Sequence, residues 1–278
     1  MQARHKGGRW LVRVEDIDPP REQPGATGEI LTALERYGFE WDGPVIYQSN
    51  TATAHQEALQ RLLDGRHAYA CGCSRSDLLD APRGALGTIY PGTCRNGCDA
   101  AETAIRVRTD NTPVAFTDGL QDLQRQRLET ESGDFVIWRR DGLVAYHLAV
   151  VVDDFEQGVS EIVRGIDLLD STERQIWLQR LLGYPHPDYL HIPVATHPDG
   201  QKLSKLTGAP AVSLEAVEPT LMQALVALGQ RPPAMLRGAS LADIWAWAIS
   251  QWKIDALLGV TQISVDCNAM ADGQNGLL

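Results

Sequence analysis

Apolar and polar residues alternate along Trp10-Leu11-Val12-Arg13-Val14-Glu15-Asp16, which predicts a short strand with an acidic end, stopped by Pro19-Pro20. The period then changes. Ile30, Leu31, Leu34 and Tyr37 recur at helical spacing, with Gly38 where a left-handed cap is wanted, and Leu59, Leu62 and Leu63 mark a second helix ending near Gly65. A strand followed by two helices opens an α/β domain. From residue 71 to about 99 the periodicity disappears and Gly, Cys, Asp and Arg dominate. Strand-like runs return around residues 104–108 and 135–139, and Asp141-Gly142 joins the second of these to an apolar run over 143–152, a hairpin pattern. Residues 159–163 predict a buried strand. Thr172 and Gln175 have capping-box spacing for a helix through Trp177, Leu181 and Leu182 that stops at Gly183. Two further stripes, Leu221-Leu225-Leu228 and Leu241-Ile244-Trp245-Ile249-Trp252, predict a small α bundle at the end of the chain.

At 278 residues and 44% hydrophobic content, this pattern fits one nucleotide-binding domain with attachments. No run of eighteen uncharged apolar residues occurs, and Met1-Gln2-Ala3-Arg4-His5-Lys6 lacks the apolar middle of a secretory signal, so a cytoplasmic protein with no membrane partner is expected. The net charge of -11 counts against a nucleic-acid partner only weakly. Binding is set by local patches, and Arg125-Gln126-Arg127 and Arg139-Arg140 are locally basic, although such runs are more often solvated faces.

Candidate chemistry sits at four places. Lys202-Leu203-Ser204-Lys205, just after the extended run Tyr189-Leu190-His191-Ile192-Pro193-Val194, offers two ammonium groups on a short loop, which suits ATP and charge developing on a departing pyrophosphate. Glu15, Asp16 and Asp18 fall at a strand's carboxyl end, where open α/β sheets bind ligands and a carboxylate can hold an ammonium or a ribose hydroxyl. Tyr146 and Arg164, on expected strands, would orient a substrate carboxylate, because a guanidinium matches two oxygens. Taken singly, the bland readings are an exposed basic turn, a solvated loop, a core tyrosine and a surface arginine. The cysteines are more specific: of Cys71, Cys73, Cys94, Cys98 and Cys267, four lie in one short stretch, which suits a structural zinc site better than a disulfide frame. Residue chemistry alone favours Cys98 as fourth ligand, since Tyr90 would have to lose a proton whose reference pKa is about 10.

In order along the chain, Arg13-Val14-Glu15-Asp16-Ile17-Asp18-Pro19-Pro20-Arg21, Tyr90-Pro91-Gly92-Thr93-Cys94-Arg95, Arg139-Arg140-Asp141-Gly142, Val150-Val151-Val152-Asp153-Asp154, Ile162-Val163-Arg164-Gly165 and Lys202-Leu203-Ser204-Lys205 resemble the catalytic core of class I glutamyl-tRNA synthetases. The resemblance covers about residues 9 to 210. It is closest to the short paralogous family of glutamyl-queuosine tRNA(Asp) synthetases, because too little chain follows the lysine loop for a large anticodon-binding region. The resemblance implies an α/β fold: a Rossmann-like parallel sheet of class I synthetase type, with a zinc-bound insert and a small C-terminal helical region. It divides the chain into the first half of a nucleotide-binding domain (1–70), a zinc-containing insert (71–135), the second half with the lysine loop (136–212) and a short helical region (213–278). It implies activation of glutamate with ATP and Mg²⁺, and transfer to the queuosine base in the anticodon of tRNA(Asp), by a monomer. Glu15, Tyr146 and Arg164 would hold glutamate, Lys202 and Lys205 would be catalytic with Lys205 contacting ATP, and Cys71, Cys73, Tyr90 and Cys94 would bind Zn²⁺, displacing the choice of Cys98.

Family members begin with a strand and a turn bearing Pro-rich and His-Gly-like ATP-gripping motifs, whereas here Met1 falls near the end of the helix that follows. The expectation is that the recorded start lies downstream of the true one, and that residues 1–278 alone would be inactive or poorly folded. Three rivals stand beside this reading: a catalytically inactive, zinc-containing RNA-binding or structural protein, another nucleotidyl-transferring enzyme on the same architecture, and a fragment of an ordinary glutamyl-tRNA synthetase.

Overall fold

Burial and backbone hydrogen bonding turn these patterns into the following order in a computed structural model, which describes residues 1–19, 22–204, 209 and 211–265. The elements are α1 (Gln2–His5), β1 (Arg13–Val14), α2 (Ala26–Arg36), β2 (Ile46–Tyr47), α3 (Ala52–Asp64), β3 (Ala68–Cys71), β4 (Arg83–Gly84), β5 (Gly87–Thr88), β6 (Ala104–Val107), β7 (Val114–Asp118) and β8 (Asp122–Gln126). They continue with α4 (Leu128–Glu131), β9 (Val136–Trp138), α5 (Tyr146–Glu156), β10 (Glu161–Gly165), α6 (Thr172–Leu182), β11 (Asp188–Ile192), β12 (Val194–Thr196), α7 (Val217–Ala227), α8 (Leu241–Ser250) and β13 (Gln262–Ser264). Two compact units result. One comprises Glu15–Pro20 and Tyr47–His191; the other comprises Met1–Val14, Arg21–Ile46 and Ile192–Leu278.

In the unit built mainly from Tyr47–His191, β3, β6 and β9 form an antiparallel sheet whose register shifts between Ile105 and Arg106. Helices α3, α5 and α6 supply Leu62, Leu148, Val152, Leu178 and Leu182 to the core around Val107 and Ile137. Each large apolar side chain taken fully out of water contributes about 1.5–3 kcal/mol. Between α3 and α5 a polar tie is fully buried: His55 Nε2 lies 2.9 Å from Asp153 Oδ1, and Gln48 Nε2 donates to Asp153 Oδ2 at 2.7 Å. The partners compensate the cost of removing the carboxylate from water.

The apolar run over 143–152 differs from expectation. The Asp141-Gly142 turn forms, with Gly142 at φ +84° and an antiparallel bridge between Trp138 and Val144, but the chain then enters α5 at Tyr146. Leu148 through Asp153 are all buried, and a helix enclosed on every side carries no amphipathic period to distinguish it from a strand. Arg164 does lie on a strand, β10. Thr172 and Gln175 also differ: Ser171 is the N-cap of α6, no side chain caps it, and both residues are committed to Arg164 instead.

In the other unit, α2, α7 and α8 form where the stripes indicated, and Tyr37, Leu221, Leu225, Ile244 and Ala248 make its core. Gly38 adopts φ +72°, and a Cβ there would stand 3.1 Å from the Trp245 indole nitrogen, which donates to the Tyr37 carbonyl at 2.8 Å. Only glycine satisfies both the left-handed turn and that close approach. Strands β12 and β13 pair in parallel. Among the described residues, no helix is long and apolar enough to cross a membrane.

Candidate active site

Glu15 follows β1 directly, and the loop it opens is held on both sides. Asp16 accepts from the Ser49 amide at 2.9 Å and from its hydroxyl at 2.6 Å, while Asp18 accepts from Arg139 at 3.1 Å. Tyr146 begins α5. Burial pushes its phenol above the ordinary range, Arg164 and a hydrogen bond with Gln175 draw it down, and Glu15 and Asp154 raise it further. Glu15, Tyr146 and Arg164, on a loop, a helix and a strand, thus lie within electrostatic reach of one another. An anion and a cation within reach of one site are complementary to an amino acid's ammonium and carboxylate.

The Arg164 guanidinium is positioned by named partners. Its Nε donates to His191 Nε2 at 3.0 Å, Nη1 to Gln175 Oε1 at 2.8 Å and Nη2 to Thr172 Oγ1 at 2.8 Å, and it sits over the Tyr189 ring with its carbon 5.5 Å from the centroid. His191 is fully buried, and its Nδ1 lies 2.6 Å from Asp118 Oδ2. Burial raises the Asp118 carboxyl, but hydrogen bonds from the His191 ring and from the Leu120 and His191 amides outweigh it and leave the group below the usual carboxylate range. Asp118 and His191 are functional candidates that sequence reasoning missed. They are 73 residues apart; His191 falls in a run read only as extended and Asp118 in a stretch to which no element was assigned, so no local signal joined them.

Lys202 follows the turn after β12, bridged to Thr196, with Leu203 N donating to Ala195 O at 2.8 Å and Gly200 at φ +85°. Lys205, like Pro20 and Arg21 of the first motif, lies outside the described residues.

The Sγ atoms of Cys71, Cys73 and Cys94 lie within 4.8 Å of one another. The Tyr90 hydroxyl is 3.4 Å from Cys71 Sγ, 3.5 Å from Cys73 Sγ, and accepts from the Cys94 amide at 2.8 Å. Cys98 points to the Ala70 carbonyl at 3.6 Å and is not part of that group. Tyr90 reaches this place because Gly133, at φ +67°, lets its backbone approach: a Cβ on residue 133 would stand 2.4 Å from Tyr90 N. Burial raises the Cys94 thiol, yet hydrogen bonding with Tyr90, the Gly72 amide and the other two thiols outweighs it, bringing the group down to about 7. Arg106 adds positive charge, donating to Cys71 Sγ at 3.3 Å and lying 4.0 Å above the Tyr90 ring. Asp134, fully buried, anchors the motif's Arg95 through bonds of 2.6 Å to each of its oxygens.

The profile described as "tRNA synthetases class I (E and Q), catalytic domain" matches residues 1–227. The chain belongs to that class of enzymes, which are ligases. It is 53% identical over 266 residues to the glutamyl-Q tRNA(Asp) synthetase of Pseudomonas fluorescens, covering 95% of this chain and 87% of that protein. The protein of the same name from Dechloromonas aromatica is 51% identical, covering 92% and 87%. Within the class, the chain belongs to the family of these relatives. Two solved structures share its fold: the glutamate-tRNA synthetase of Elizabethkingia anophelis (TM-score 0.80) and the glutamate tRNA ligase of Elizabethkingia meningosepticum (0.78). Both are 20% identical and match 98% of this chain, which spans 64% and 63% of theirs. The fold is thus the α/β fold of a class I synthetase.

Proposed function

We propose that this enzyme activates glutamate with ATP and transfers it to the queuosine base in the anticodon of tRNA(Asp). What supports the reading is the names of the relatives together with the Arg164 guanidinium held in place by His191, Gln175 and Thr172. Glu15 takes the α-ammonium of glutamate, Arg164 takes a carboxylate and Tyr146 orients it. An oxygen of the α-carboxylate attacks the α-phosphorus of Mg²⁺-bound ATP; the bond to pyrophosphate breaks and glutamyl-adenylate forms. Lys202 and Lys205 meet the charge on the departing pyrophosphate. A queuosine hydroxyl then attacks the acyl carbon, losing its proton as AMP leaves. No side-chain nucleophile is needed, so positioning and charge carry the rate.

Cys71, Cys73, Cys94 and Tyr90 suit a structural zinc, since three thiolates and one oxygen make a tetrahedral donor set and the surrounding loops are poor in apolar residues. Bound there, the ion supplies folding energy to residues 71–135 as a zinc-containing insert. In this reading residues 1–70 and 136–212 are the halves of the nucleotide-binding domain, 213–278 is a helical appendage, and the enzyme works as a cytoplasmic monomer. Glutamate-dependent ATP–pyrophosphate exchange, followed by transfer of labelled glutamate to tRNA(Asp) with and without queuosine, tests the function. Label appearing only on queuosine-bearing tRNA, at the anticodon, is expected. Label on the acceptor end, or exchange with another amino acid in preference to glutamate, would overturn the assignment.

A further inference from the structure

We infer that the buried Asp118–His191 pair is the positioning element for Arg164, and that it sets affinity for the acidic amino acid by fixing which imidazole nitrogen carries the proton. The inference rests on the reading of Arg164 as a carboxylate-binding group. Arg164 Nε has only a hydrogen to offer, so His191 Nε2, 3.0 Å away, must present its lone pair. His191 Nδ1 then carries the proton and donates it to Asp118 Oδ2 at 2.6 Å. The orientation of the guanidinium therefore depends on the imidazole tautomer, and the tautomer on the carboxylate.

Asp118 is itself immobilised. Its Oδ1 accepts the amides of Leu120, Gln121 and His191 at 2.9, 3.0 and 3.2 Å, and the Gln121 side chain donates to the His191 carbonyl at 2.9 Å. The imidazole is further held by the Tyr189 ring, stacked on it at an interplanar angle of 13°. Asp118, at the end of β7, and His191, on β11, are 0% exposed in their side chains, so no water competes for these bonds. Thr172 and Gln175 hold the other edge of the guanidinium on α6. Arg164 is thus gripped from two elements, with its Nε side controlled by the pair.

The geometry makes a sharp variant available. In Asp118→Asn the three backbone amides retain the amide oxygen at the Oδ1 position, which places NH2 against His191 Nδ1. The imidazole must then accept there and carry its proton on Nε2, facing the Nε–H of Arg164. Two donors then oppose at Arg164 Nε, the Nε2 proton is left to Thr172 Oγ1, 3.3 Å away, and the guanidinium turns away. This is the logic by which an Asp-to-Asn change selects the wrong tautomer in a serine protease triad.

The test is steady-state ATP–pyrophosphate exchange on the full chain, with calorimetric glutamate binding alongside. Asp118→Asn is expected to raise the KM for glutamate about 10- to 100-fold, the worth of one hydrogen bond to a charged group, with the KM for ATP and kcat within about twofold. His191→Gln, whose amide offers an acceptor to Arg164 and a donor to Asp118, should retain most of the wild-type affinity, whereas His191→Phe should lose it as Asp118→Asn does. Adding Asp118→Asn to His191→Phe should cost nothing more, because the two act as one unit. A merely structural role would move both KM values and kcat together and would not distinguish Gln from Phe at 191; that outcome overturns the inference. Arg164→Ala separates the two ideas. If it weakens glutamate while Asp118→Asn does not, the positioning role fails and the glutamate pocket stands; if Arg164→Ala leaves glutamate affinity unchanged, the pocket reading fails and the positioning role with it.

Discussion

Removing Asp134 should destabilise the protein far more than removing Glu129, although both carboxylates bind the same arginine. Asp134 is fully buried and accepts from Arg95 Nε and Nη2 at 2.6 Å each, from the Thr109 amide and hydroxyl at 2.8 and 2.9 Å, and from the Tyr69 hydroxyl. Glu129 accepts from Arg95 Nη1 at 2.9 Å with its side chain 40% exposed. Breaking a buried ion pair strands its partner and costs about 3–5 kcal/mol. An exposed pair is worth about 0–1 kcal/mol. Asp134→Ala should therefore lower the melting temperature by roughly 6–20 °C and Glu129→Ala by no more than about 4 °C, at about 2–4 °C per kcal/mol. Urea unfolding of both variants, followed by tryptophan fluorescence, gives the comparison in free energy. The pH dependence has a defined sign. Burial raises the Asp134 carboxyl, but Arg95, Tyr69 and Thr109 outweigh it and hold it below the ordinary aspartate value of 3.8. Its contribution is thus complete above that unfolded-state value and is lost as pH falls through the lower folded value. The gap between wild type and Asp134→Ala should narrow only below about pH 4. Equal effects of the two substitutions at pH 7, or a loss under about 1 kcal/mol for Asp134→Ala, would refute the reasoning.

Gly133→Ala places a Cβ 2.4 Å from Tyr90 N at φ +67°, so a cost above the roughly 1–2 kcal/mol of a left-handed alanine is expected, read by urea midpoint. Cys73→Ser should lose bound zinc while Cys98→Ser retains it, as elemental analysis of the purified variants would report. Leu148→Ala removes a fully buried side chain from the core and should cost about 2–5 kcal/mol without changing zinc content. Burial, with Arg174 and Arg164 nearby, pushes His147 down to about 3, so its imidazole should show no NMR titration between pH 8 and 5. Because the unfolded chain takes up that proton near the ordinary histidine value of 6.5, this residue's contribution is present above it and is lost progressively as pH falls towards 3.

Much of the helical framework was legible because α3, α7 and α8 each bury one stripe, and a stripe leaves a period of 3.6 residues in the chain; α2 follows the same period although none of its residues is fully buried. Helix α5 was not, since Leu148 to Asp153 are buried on all sides and the apolar run looks the same as a strand. Thr172 and Gln175 mimicked a capping box by spacing alone, while their side chains answer to Arg164 from another element. The cysteine spacing pointed to a cluster, but local chemistry preferred Cys98 as its fourth member. The positive φ of Gly133 instead brings Tyr90 beside the three sulfurs.

The sequence alone determined the class of fold, the residues able to carry charge or bind metal, and through its ordered motifs the family. These are properties of composition and of neighbours a few positions apart. Only the tertiary structure decided which distant groups meet: Asp118 with His191 across 73 positions, and Arg164 with His191 across 27. Such meetings are set by the path of the backbone through a common core, and no periodicity along a chain encodes the distance between two of its remote points.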